Sequence, residues 1–268
     1  MSLFDLEKEI IVITGVSGQL GSEYAEALLE GGAEYVIGLD LKNSDTCEAL
    51  SKNYKDKFIF IKTDITDKSS INDASQYILS EIGIPTVLIN NAGIDSNPGS
   101  DLSDVGPFEE YPEELWDKVL DVNLKGIFLA CQIFGKIMAK NSKGSIINIS
   151  SIYGIVSPDQ SMYEYRRNRG EQFYKPVAYS ASKSGVINLT KYLAVYWAKE
   201  SVRVNTLTIA GVFNEQDQDF LKEYEARIPI GRMAGQSEYN GAIIFLSSDA
   251  SKYMTGSNLI VDGGWTAI

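Results

Sequence analysis

The chain has 268 residues, 44% hydrophobic and 22% charged, with a net charge of −12; this length suits one α/β domain with a full core. So acidic a balance excludes nucleic acid and anionic membrane as main partners, because both call for a basic face. Histidine is absent, which removes Ser-His-Asp hydrolysis and the usual zinc sites, so no metal is expected.

Residues 10–13 (IIVI) form a short apolar run, as expected of a strand buried on both faces of a parallel sheet. The run TGVSGQLG over residues 14–21 follows directly. Tyr24, Ala25, Leu28 and Leu29 then mark a helix ending at Gly31 and Gly32. Strand, glycine turn and helix in this order make a phosphate site: the glycines admit the pyrophosphate and the helix start offers N–H groups. Gly15, Ser17, Gly18, Gln19, Leu20 and Gly21 are therefore candidate cofactor contacts. A second strand over residues 35–39 ends in Asp40, about 20 residues past the glycines. A carboxylate there accepts from the adenosine ribose hydroxyls and repels a 2′-phosphate, which favours NAD over NADP. It also fits a solvated strand end.

A helix is expected over residues 47–54, a strand over 58–61, a helix over 71–82 and a strand over 86–89. The alternation predicts a Rossmann-type, doubly wound parallel sheet in a single domain. Ligands bind such sheets beyond the C-terminal strand ends. That puts Asp64 and Ile65, after the third strand, and Asn91, Ala92 and Gly93, after the fourth, along one crevice with the glycine turn and Asp40. A loop over 94–111 is rich in Gly, Pro, Ser and Asp. A long helix over 112–141 follows and carries two features of note. Asn123 interrupts its apolar series and needs a partner, and Cys131 reads as a buried thiol. With Cys47, the only other cysteine, far away, and a charged N-terminal segment lacking a long apolar run, the expected location is cytoplasmic.

The fifth strand, 145–151, ends in Ser151. Residues 157–176 read as an aromatic and basic insertion on the substrate side, with Tyr163, Tyr165, Arg166, Arg167, Arg169, Phe173, Tyr174 and Lys175. Its three arginines suit an anion clamp for a substrate phosphate or carboxylate; a solvated loop or subunit contact fits them too. Tyr179 and Lys183 come next, four apart and so on one helix face. A fixed cation favours the phenolate, and a tyrosine so placed exchanges a proton with an alcohol or carbonyl oxygen. Alone, this spacing also describes an exposed Tyr and Lys. Val186, Leu189, Leu193, Val195 and Trp197 continue the helix. A sixth strand over 202–208, helices near 219–226 and 239–245, and a strand over 258–261 complete the chain.

Taken together, the 14–21 turn, NNAG over 90–93, Asn123, NISS over 148–151, Tyr179 with Lys183, RVN over 203–205 and VDGG over 261–264 resemble the short-chain dehydrogenase/reductase family, over nearly the whole chain. The resemblance implies that Ser151 bonds the reacting oxygen, Tyr179 moves the proton, Lys183 binds the nicotinamide ribose and lowers the tyrosine pKa, and Asn123 holds a relay water. It implies a nicotinamide amide contact near Val212 and a homotetramer or homodimer. Three departures stand out. Gln19 replaces the middle glycine of the turn, Ile209 and Ala210 replace the usual Pro-Gly, and the serine-to-tyrosine gap is lengthened by the insertion. Phe213, Asn214 and the insertion give a weaker resemblance to members that modify bacterial surface sugars. The expected activity is NAD-dependent hydride transfer with a secondary alcohol or ketone of a sugar-like or nucleotide-sugar substrate. A 3-ketoacyl-carrier reductase and a non-catalytic NAD(H) sensor are the alternatives.

Overall fold

The computed structural model describes residues 3–95 and 106–268; Met1, Ser2 and the middle of the 94–111 loop lie outside the described residues. Seven strands form one parallel sheet: β1 (Ile10–Thr14), β2 (Tyr35–Asp40), β3 (Phe58–Lys62), β4 (Val87–Asn90), β5 (Gly144–Ser151), β6 (Val202–Ile209) and β7 (Asn258–Val261). Their spatial order is β3-β2-β1-β4-β5-β6-β7. The order reverses between β1 and β4, which opens a crevice above their C-terminal ends.

The helices are α1 (Gln19–Glu30), α2 (Asp45–Asn53), α3 (Lys68–Glu81), α4 (Glu113–Lys140), α5 (Glu164–Asn168), α6 (Val177–Trp197), α7 (Gln218–Glu225) and α8 (Asn240–Ser247). One face of the sheet packs on α3, α4 and α6 through Ile71, Ile78, Ile127, Phe134, Val186 and Trp197. The other packs on α1, α2 and α8 through Tyr24, Leu28, Leu50, Ile243 and Leu246. Both faces are covered, so β1 and β4 read as near-continuous apolar runs. Helices α2 and α3 begin two to three residues earlier than their apolar periodicity predicts. The cause is capping: Ser44 accepts from the Cys47 N–H at 3.2 Å, and Asp67 from the Ser69 N–H at 2.9 Å.

Among the described residues, α4 is long and apolar enough to cross a membrane, but Ile127, Leu129, Ile133, Phe134 and Met138 are spent on the sheet core. Two π-helical stretches, Asp121–Gly126 and Cys131–Gly135, interrupt it. Such bulges gather at functional sites, and the first carries Asn123. Cys131 is buried, as expected, and burial pushes its thiol up to about 12 despite the opposing hydrogen bond from Asn90. Val195 departs from expectation. It is 82% exposed and shares an outward face with Tyr192 and Tyr196, because the buried stripe of α6 runs through Val186, Leu193 and Trp197.

Residues 157–176 fold as a 3-10 turn (Gln160–Tyr163), α5 and a return segment. Together with α7 they build a small third core beyond the sheet edge, of Met162, Tyr163, Phe173, Phe220, Leu221 and Tyr224.

Candidate active site

The glycine turn is fixed by close approach. Gly15 has φ of +69°, and a side chain there would meet the Ala92 backbone at 2.6 Å; one at Gly21 would meet the Gly15 carbonyl at 2.1 Å. No side chain caps α1 at Gly18, and the first backbone bond of the helix runs from the Ser22 N–H to the Gly18 carbonyl at 3.1 Å. The N–H groups of Gln19, Leu20 and Gly21 thus belong to the free end of a helix. Asp40 closes β2 with its carboxylate pinned: Oδ2 accepts from the Ser17 N–H at 3.0 Å and Oδ1 from the Leu41 N–H at 2.7 Å. The Gln19 side chain reaches across the crevice and donates to the Phe213 carbonyl at 2.9 Å, which ties the turn to the loop after β6 and next to Val212.

The end of β4 is locked to β1. Thr14 Oγ1 accepts from the N–H groups of Asn91 and Ala92, both at 3.1 Å, and Asn91 Nδ2 donates to the carbonyls of Thr14 and Gly15. After β3, Asp64 Oδ1 accepts from the N–H and hydroxyl of Thr66 and so closes its own turn. Ile65 is buried in the core under the crevice. An uncapped helix end, a close backbone turn and an anchored strand-end carboxylate fit a dinucleotide.

The four residues expected to be catalytic converge beyond β4 and β5. Ser151 ends β5, with its hydroxyl accepting from the Tyr153 N–H at 3.2 Å. Tyr179 and Lys183 lie one turn apart on α6, with Lys183 Nζ 5.8 Å from the Tyr179 ring centre. Lys183 is buried and donates to the Ile149 carbonyl at 3.0 Å. Burial pulls its pKa down to about 8, opposed by the charge of Asp95. The Tyr179 phenol is pushed up to about 12 by burial and then by Asp95, while Lys175 and a hydrogen bond with Ser151 pull the other way. These groups leave it protonated at neutral pH, as a general acid must be.

Asn123 is fully buried and satisfied by protein. It accepts from the Ile94 N–H at 2.8 Å and donates to the Ile94 carbonyl at 3.0 Å and to Ser182 Oγ at 3.1 Å. It therefore ties the segment after β4 to α6, between Tyr179 and Lys183.

Ser151 and Tyr179 line a cavity of about 230 Å³. Its walls include Asp95, Tyr153, Tyr163, Lys175, Gln216 and Tyr224, with Phe220 and Met233 as apolar contacts and Val212 near the crevice. Sequence reasoning did not single out Lys175 or Asp95. Lys175 forms an ion pair with Asp95, 5.1 Å from the Tyr179 ring centre and 5.6 Å from that of Tyr153. Burial lowers its pKa, but Asp95, Tyr179 and Tyr153 together raise it further, so it stays charged. A signal was available: Lys175 precedes Tyr179 by four residues, the same spacing that drew attention to Lys183.

The structure places the three arginines of the expected clamp away from the cavity. Arg166 is buried, paired with Glu171 and stacked 4.0 Å over the Phe173 ring. Arg167 donates to the carbonyls of Phe173 and Gln160. Arg169 pairs with Asp217 and Asp219. None of the three lines the cavity beside Tyr179. Arg167 and Arg169 hold the insertion on itself and on α7, while Arg166 bonds Glu171 through Nε and leaves a buried terminal nitrogen without a partner.

A family model described as enoyl-(acyl carrier protein) reductase matches residues 15–266. An NAD-dependent glycerol dehydrogenase of Listeria innocua is 31% identical over 98% of this chain and 96% of its own. A D-threitol dehydrogenase of Mycolicibacterium smegmatis is 32% identical over 98% and 95%. A short chain dehydrogenase of Leptospira borgpetersenii, solved with bound NAD+, superposes with a TM-score of 0.86 at 35% identity, covering 98% of this chain and 95% of that one.

Proposed function

Because the chain belongs to the short-chain dehydrogenase/reductase family, we propose that it moves a hydride between NAD and a secondary alcohol or ketone of a small, neutral polyol. One observation carries the reading: Ser151 and Tyr179 line a cavity of about 230 Å³ whose walls mix polar side chains with apolar ones. That volume is below the roughly 300–1,000 Å³ usual for drug-sized ligands, so it suits a few carbons rather than a nucleotide sugar. Glycerol and threitol, named for two relatives, are of that size.

When bound, the nicotinamide supplies or takes up the hydride. In the reducing direction Tyr179 gives its proton to the carbonyl oxygen, which Ser151 holds. In the oxidising direction Tyr179 takes the alcohol proton back, and the charge of Lys175 beside its ring favours the ionised phenol. Lys183, buried behind the ring, would meet the nicotinamide ribose, and Asn123 fixes the two segments that flank the reacting centre. The uncapped start of α1 would hold the pyrophosphate, and Asp40 the adenosine ribose. Asp40 supports NAD over NADP, because a 2′-phosphate would meet a carboxylate already aimed at the crevice. Assembly into a homodimer or homotetramer is part of the proposal, supported by the exposed apolar face of α6 at Tyr192, Val195 and Tyr196. Two free, buried cysteines suit a reducing cytoplasm.

The test is a comparison of initial rates with NAD+ and NADP+ on glycerol, threitol, a hexitol and an aldonate, and of NADH oxidation with a carrier-bound 3-ketoacyl thioester. Turnover of the neutral polyols with NAD+ is expected. Preference for the thioester would favour the carrier-acyl alternative that the family model's description suggests, and binding of NADH without any turnover would favour a sensor.

A further inference from the structure

We propose that Lys175 and Asp95 form the specificity-determining pair of the cavity, with the ammonium donating to one hydroxyl of a polyol and the carboxylate accepting from its neighbour. This rests on the hydride-transfer reading above and names the substrate feature that site selects. The pair comes from two distant segments, the insertion before α6 and the stretch after β4, 80 residues apart, yet both members line the cavity that holds Ser151 and Tyr179. The Lys175 side chain is only 8% exposed and that of Asp95 28%, so the ammonium is drawn largely out of water while the carboxylate keeps partial contact with it.

An ammonium has three donors and a carboxylate two acceptor oxygens. Among the described residues, the hydrogen bond given to either head group is the one they share. Toward the described residues, donor and acceptor capacity is therefore left over on both, side by side, in a cavity whose walls also include four tyrosines, Ser151 and Gln216. Vicinal hydroxyls present the matching pattern, since each hydroxyl both donates and accepts. The same pair disfavours an acid. Asp95 cancels the charge of Lys175 and sets a carboxylate against any anionic group that enters, so an aldonate or hydroxy acid finds no free cation here. Asn123 contributes by holding both backbone groups of Ile94, the residue before Asp95.

The experiment measures kcat/KM with NAD+ for 2,3-butanediol, 2-butanol and 3-hydroxybutyrate in wild type, Lys175→Met, Asp95→Asn and the double variant, with NADH Kd as a check that the crevice is intact. Charged hydrogen bonds are being removed, so the diol-to-monool ratio should fall about tenfold to a hundredfold in each variant. Asp95→Asn should also raise the hydroxy acid relative to the diol, because Lys175 is then an uncompensated cation. If a single variant fails to fold through its unpaired buried charge, the double variant carries the test, since it leaves neither charge behind. Ratios within twofold of wild type at unchanged NADH Kd would reduce the pair to a structural tie and overturn the proposal. A wild-type enzyme inert on all three alcohols, and on every polyol, would overturn the reading beneath it instead.

Discussion

The cofactor half of the molecule and the substrate cap are held by different forces. Around β1, β2 and β4 the contacts are backbone turns and short polar side chains: Thr14 with Asn91 and Ala92, Ser17 with Asp40. In the cap, ion pairs and stacked rings join segments far apart in sequence. Arg169 meets Asp217 across 48 positions, Arg227 meets Asp159 across 68, and Tyr163 packs on Phe173 and Phe220. The first arrangement fixes a ligand common to a whole family. The second builds a chamber whose walls can change without disturbing the sheet, which is where the proposed substrate choice would be made.

The sharpest break between the two halves should come at their seam. Tyr179→Phe removes the proton donor and leaves the crevice untouched. The expected loss in kcat is about 10²–10⁴-fold, with NADH Kd little changed; steady-state kinetics with fluorescence titration would show both. Next in size is Arg166→Ala. It strips the partner from Glu171 and the cation from the Phe173 ring in the cap core. Removing one member of a largely buried pair should cost about 3 kcal/mol in stability, measured by urea unfolding, while an intact crevice still binds NADH. Loss of substrate affinity with no loss of stability would restore the clamp.

Asp40→Ala acts on the other half alone. Losing a charged acceptor should weaken NAD binding about tenfold to a hundredfold, admit NADP, and leave the polyol preference as it was. A smaller effect concerns Lys183, whose pKa is drawn from the ordinary lysine value down to about 8. Between about pH 8 and the ordinary value the unfolded chain holds a proton that the folded chain has released, so this residue's contribution to stability rises with pH across that window and is lost as pH falls through 8. Lys183→Met should therefore be at least as stable as wild type at pH 7, with the difference shrinking as the pH is raised. Parallel denaturation curves at pH 7 and pH 9.5, both without cofactor, would detect it.

These differences follow what the sequence can encode locally. The parallel sheet, the turn at Gly15 and Gly21, Asp40, and the convergence of Ser151, Tyr179 and Lys183 were all legible, because each depends on a run of a few residues and on the rule that parallel strands present their C-terminal ends together. Asn123 was legible as a residue needing partners, but not as a clasp between Ile94 and Ser182, since those partners are remote. The arginines misled for a physical reason. A dense positive cluster in an acidic chain looks free to bind a ligand, while its acidic partners Asp217 and Asp219 sit one long helix and one strand further on. Lys175 was hidden in the same cluster, where only its four-residue spacing from Tyr179 sets it apart from its neighbours. Val195 fits an apolar series yet faces outward, because periodicity alone does not tell which face of α6 the sheet covers.

The most direct test of the central claim follows the hydride itself. Wild-type protein is mixed with NAD+ and a four-carbon polyol deuterated at its secondary carbinol carbons, and the reduced nicotinamide is recovered for mass spectrometry. The account predicts reduced cofactor carrying one deuterium from the polyol, formed slowly or not at all by Tyr179→Phe. Reduced cofactor without the label, or none formed with any neutral polyol, would contradict it.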